Sequence, residues 1–162
     1  KYSIMKKIIF TLALSLAATM LFAQKNPFEK FTDMDGVTSV FISKNMMSLL
    51  PKDSKTQLNG VDVGSFIEKL NSILILTSEN VNISRQMISE ANNRIKVDNY
   101  ELLMRVKSDD GEIVNFFMKG KPEKIEELIM LVDSKDGESV IMQFLGEFKM
   151  QDVQQMAKSF EK

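Results

Sequence analysis

From Tyr100 to Phe148 the chain holds four short, largely apolar runs, and each pair of runs is broken by an Asp-Gly. The first pair reads ELLMRVK and IVNFFMK around Asp110-Gly111; the second reads ELIMLVD and SVIMQFL around Asp136-Gly137. Two apolar runs flanking an Asp-Gly predict an antiparallel hairpin, because glycine supplies the left-handed backbone that a tight turn needs. Laid over one another, Glu101–Gly120 and Glu127–Gly146 agree at ten of twenty positions, so the two hairpins are similar tandem units.

The polar pattern also selects the register. A two-residue turn sets Val106 against Asn115 and Lys107 against Val114, which mixes polar and apolar residues on both faces. A three-residue loop, Asp109–Gly111, sets Val106 against Val114, Met104 against Phe116 and Leu102 against Met118. The matching loop Lys135–Gly137 sets Val132 against Val140, Met130 against Met142 and Leu128 against Phe144. Only the longer loop gives a clean apolar face, and a slip of one residue destroys it. On the opposite face the first hairpin is wet, with Glu101 against Lys119 and Arg105 against Asn115, whereas the second places Leu131 against Ile141. The second hairpin is therefore expected at the sheet centre, covered on both sides.

Upstream, Gly36–Ser43 is rich in β-branched residues and predicts a first strand, followed by a short helix over Lys44–Leu50 that Pro51 ends. Pro51–Gly60 reads as a loop, Phe66, Ile67 and Leu70 as a second short helix, and Ile73–Leu76 as a buried strand. Asn82–Val97 spaces Ile83, Met87, Ala91 and Ile95 four apart, predicting an amphipathic helix that leaves Arg85, Glu90 and Arg94 to water. Val153, Met156, Ala157 and Phe160 predict a closing helix within Lys149–Glu161. The fold class expected is α+β: a single, mainly antiparallel sheet of about six strands, with helices mostly on one face, over residues 36–162.

The start of the chain has another character. Met5-Lys6-Lys7 followed by the apolar run Ile8–Ala23 reads as a secretory signal peptide over residues 1–23, cleaved after Ala23, with Met5 as the start. The run is short for a stable membrane span, and no cysteine follows it to carry a lipid. Without this segment the chain has 18 basic and 22 acidic residues and no dense Lys/Arg block, which argues against nucleic acid as a partner. The lack of cysteine suits a bacterial envelope protein whose core needs no disulfides, either periplasmic or secreted.

Histidine is absent as well, which removes His-based acid–base chemistry, Cys nucleophiles and nearly every zinc or haem site. Asp33-Met34-Asp35-Gly36 has the form of an aspartate-nucleophile phosphatase motif, but the strand follows it instead of preceding it, so it reads as a turn. The acids of the hairpin turns, Asp109, Asp110 and Glu112 with Asp133, Asp136 and Glu138, are weak candidates for a calcium site. They lack the spacing of a dedicated calcium loop, and Lys135 stands among them, so no metal or other cofactor is assigned. Most methionines fall on core positions. Phe28, Phe31 and Met34, in an N-terminal arm over residues 24–35, belong to no periodic pattern. Leu103 and Phe117 fall opposite each other on the wetter face of the first hairpin. These five residues are the candidates for a partner-binding surface.

Val37–Met47 (VTSVFISKNMM), Tyr100–Met104 (YELLM), the two Asp-Gly turns, Glu127–Val132 (ELIMLV) and the end Gly146–Phe160 together resemble the DUF4252 family of uncharacterised envelope proteins of Bacteroidetes-type bacteria. The resemblance covers nearly all of the chain after residue 23 and implies a location in the envelope; it brings no activity, substrate or catalytic residue. It also implies a link to extracytoplasmic sigma factors. The function expected is that of an exported, non-enzymatic envelope protein binding a protein partner or a small apolar ligand. The alternative is a regulatory or sensor component of an envelope-stress circuit, with an enzyme of unknown type in third place.

Overall fold

A computed structural model describes residues 26–49, 57–58, 61–62, 64–109 and 111–157. Its centre is a six-stranded antiparallel sheet of strands β1 (Thr38–Ser43), β4 (Leu70–Ser78), β5 (Glu101–Lys107), β6 (Ile113–Lys121), β7 (Lys124–Asp133) and β8 (Ser139–Phe148). The strand order is β1-β4-β8-β7-β6-β5, so the second hairpin, β7–β8, is central. A separate two-stranded ribbon, β2 (Gln57–Leu58) with β3 (Val61–Asp62), falls within and just after the stretch expected to be a loop. The helices are α1 (Lys44–Met47), α2 (Gly64–Ile67), α3 (Val81–Val97) and α4 (Met150–Ala157). The signal-peptide segment and Phe160 lie outside the described residues.

Both hairpins turn through the three-residue loop that the alternation demands. Val106 faces Val114 and Met104 faces Phe116, while Val132, Met130 and Leu128 face Val140, Met142 and Phe144. Gly111 and Gly137 hold φ of +91° and +89°. Three expected pairs fail, Leu102 with Met118, Leu103 with Phe117 and Glu101 with Lys119: a bulge between Leu102 and Met104 sets Leu102 against Phe117 and Glu101 against Met118. A bulge adds a residue to one strand and inverts which side chains face each way beyond it, and alternation alone does not show where it falls.

The sheet is buried on both sides. One core gathers Leu74, Leu76, Ile129, Leu131 and Ile141 beneath Met87, Ala91 and Ile95 of α3. The other gathers Phe116, Met118, Leu128, Met130 and Phe148 beneath Met47 of α1, Phe66 of α2 and Val153 of α4. Three short helices thus share one face, and the longest helix covers the other.

Helix α3 is fixed at both ends by local chemistry. The Asn80 carboxamide oxygen accepts from the backbone N–H groups of Asn82 and Ile83 and so caps the N-terminus. At the C-terminus Asn99 takes φ of +55°, and the Tyr100 N–H returns to the Ile95 carbonyl at 2.9 Å. This left-handed stop folds Tyr100 back over the last helical turn.

The two turn glycines differ in what surrounds them. A Cβ on Gly137 meets Val81 Cγ2 at 2.6 Å, where α3 begins, whereas one on Gly111 meets only the flexible end of Lys135. Gly137→Val is expected to cost about 2–3 kcal/mol and Gly111→Val about 1–2 kcal/mol, measured by urea denaturation.

Candidate functional site

The structure assigns the expected binding residues to other work. Phe28 precedes and Phe31 ends a 3-10 turn, Glu29–Phe31, and the two are 0% and 1% exposed in the core beneath α3. Met34 and Phe117 pack against that same core, while Leu103 packs against the core on the opposite face. The bulge at Leu103 therefore separates it from Phe117, and the five residues form no common surface. Within the N-terminal arm of residues 24–35, Phe28 and Phe31 are docked on the body.

The acidic turns do lie side by side at one end of the sheet, since Ile113 of β6 faces Asp133 of β7. Lys135 reaches from the second turn onto Gly111 of the first. Among the described residues, which exclude Asp110, no three acids come close enough to hold a metal ion.

Arg94, expected in water, instead reaches over the sheet to Glu127 on β7. Its Nη2 donates to both carboxylate oxygens, at 3.0 and 3.3 Å. Glu127 is only 5% exposed, and the Gln143 amide donates to its Oε1 at 2.5 Å. The Asn26 amide in turn donates to Gln143 Oε1 at 2.7 Å. Arg94 Nε donates to the Tyr100 hydroxyl at 3.1 Å, and the guanidinium carbon lies 5.9 Å from the ring centroids of both Phe28 and Tyr100. Asp98 lies 3.8 Å from Arg94 and 3.1 Å from Lys119. Burial pushes the Tyr100 hydroxyl well above its ordinary pKa, and the Glu127 charge adds to this. For Arg94, burial works against the charge but is outweighed by Glu127 and Tyr100, so its pKa rises.

The strand pairing accounts for each position. A bulge at Glu126 puts Ile125 in the core beneath the short helices while Glu127 stays in the inward set with Ile129 and Leu131. Gln143 faces Ile129 across the ladder. A glutamate and a glutamine at inward positions of a two-sided strand pair were the signal in the sequence, because such groups need partners when buried. Chemically the network is closed: its carboxylate is occupied by Arg94 and Gln143, and Phe28 covers the guanidinium. It ties the N-terminal segment, α3 and the central hairpin into one body.

Among the described residues, Asp152 is the other buried acid. It accepts from Lys69 Nζ at 2.6 Å and from the Lys149 N–H at 2.8 Å, closing the start of α4. Burial works to raise its pKa, but Lys69 and the Lys149 N–H hold it below the ordinary 3.8. A carboxylate depressed in this way adds stability above its unfolded pKa and loses it as pH falls through the folded value. Asp152→Asn is thus expected to flatten the fall in unfolding midpoint between about pH 5 and pH 2, read by thermal denaturation against the parent chain.

The surface that remains open lies at the β1 edge. Val40 and Phe41 on β1, Met46 on α1 and Leu49 just beyond it are all exposed, Phe41 at 67% and Leu49 at 77%. Among the described residues, β1 is the outermost strand on its side of the sheet and pairs with β4 alone. The other edge is different in kind. Strand β5 exposes Leu102 and Val106 but carries Glu101, Arg105 and Lys107 and is bent by its bulge, features that discourage further strand pairing.

A family model described as "Domain of unknown function (DUF4252)" matches residues 28–156, and the chain belongs to that family. No curated protein and no solved structure gives a match.

Proposed function

We propose that this member of a family of unknown function is an exported, non-enzymatic interaction module of the cell envelope, meeting a protein partner through β1 and α1. The observation that carries the reading is the exposure of Val40, Phe41, Met46 and Leu49 within ten consecutive residues, beside a sheet edge that no further strand pairs among the described residues. Isolated exposed apolar residues are common on any surface, but several together beside an open edge favour a contact surface. The closed Arg94–Glu127 network supports a non-enzymatic role, because Arg94, Glu127 and Gln143 already serve one another. The basic and apolar segment from Lys6 to Ala23 supports export and a periplasmic or secreted location.

The test is charge placed on the surface. Phe41→Lys with Leu49→Lys should leave the unfolding free energy within about 0.5 kcal/mol of the parent, as surface changes do, and remove the chain's cross-linked complexes from envelope preparations. An unchanged set of complexes would rule out this surface. N-terminal sequencing of the accumulated protein tests export, with a start at Gln24 or Lys25 expected and an intact Met5 end contradicting it.

A further inference from the structure

Resting on that reading, we propose that the partner of the β1 edge is a second copy of this chain, whose Thr38–Ser43 strand pairs antiparallel with the first across a two-fold axis. An exposed edge presents alternating N–H and C=O groups, and an identical strand running antiparallel complements that row on its own.

Three features favour this occupant. Thr38–Ser43 is uncharged, lacks proline and pairs with β4 without a bulge, so its outer edge is regular and self-pairing opposes no like charges. The ends of the strand are complementary: Asp33 and Asp35 precede it and Lys44 follows it. A two-fold centred on Val40 brings Lys44, the first residue of α1, toward the Asp35-Gly36 end of the other copy's strand. Lastly, the remaining edge cannot accept β1 easily. The charges and bulge of β5 oppose a head-to-tail contact, which would propagate into a filament, whereas β1 against β1 closes after two copies. The pairing would also cover Val40 and Phe41, which project from opposite faces of the strand.

The chain has no cysteine, which makes a covalent test clean. Two facing residues of an antiparallel pair lie within disulfide reach, about 4.5–5.5 Å between Cα atoms. Val40→Cys in the full chain, recovered as it accumulates and oxidised at low micromolar concentration, should give a disulfide-linked dimer. Leu102→Cys, on the opposite edge, should stay monomeric. Sedimentation equilibrium should show a dimer for the parent chain and a monomer for Val40→Lys with Phe41→Lys, a pair whose exposed positions preserve the fold. A monomeric parent, or a dimer that survives the lysine pair, overturns the inference. If the parent is monomeric while Phe41→Lys with Leu49→Lys still removes a complex with another protein, only the choice of partner fails. If that complex also persists, the surface itself is wrong.

Discussion

Phe28→Ala is expected to lower the stability of the domain by about 3–4 kcal/mol, the range for emptying a fully buried aromatic site. Phe28 is 0% exposed in the core beneath α3, and its ring also lies against the Arg94 guanidinium. The substitution therefore opens a cavity and admits water to a buried charge at once. Urea denaturation at constant pH reads the effect. A loss below about 1 kcal/mol would mean that the N-terminal segment is an appendage, because a true core phenylalanine does not leave so cheaply.

Glu127→Leu is expected to cost about 3 kcal/mol, since removing one member of a buried ion pair strands the other charge where water reaches it poorly. Arg94 keeps 19% of its side-chain surface, which places the expectation toward the lower end of the range for such pairs. Gln143 also loses the acceptor for its amide. Combining Glu127→Leu with Arg94→Met removes both charges, so the double variant should be more stable than the sum of the two single losses predicts. Strict additivity in this double-mutant cycle would show that Arg94 and Glu127 do not interact.

Much of the sheet is legible in the sequence because its signals are local. Asp-Gly with flanking alternation specifies the loop length, and loop length specifies which side chains share a face. The central place of β7–β8 follows from Leu131 and Ile141 being apolar on the second face. What escapes are features that depend on distant partners. The bulges at Leu103 and Glu126 leave no local mark, yet the first sends Leu103 and Phe117 to different faces. Arg94 looks like a solvent residue on the helix, and only Glu127, more than thirty positions away, draws it inward. Phe28 and Phe31 stand three apart, the spacing of one helical turn, but so short a turn has no periodic pattern to reveal what it packs on. The open β1 edge escapes for the opposite reason: β-branched residues announce a strand and do not say whether both of its sides are paired.

The most direct test of the central claim is site-specific photo-cross-linking in living cells, with a photoreactive amino acid placed in turn at Phe41, Leu102 and Phe117. Position 41 should capture a protein and positions 102 and 117 none, because Phe41 stands on the open edge, Leu102 on the guarded one and Phe117 against the core. Capture at 102 or 117 with none at 41 would contradict the account.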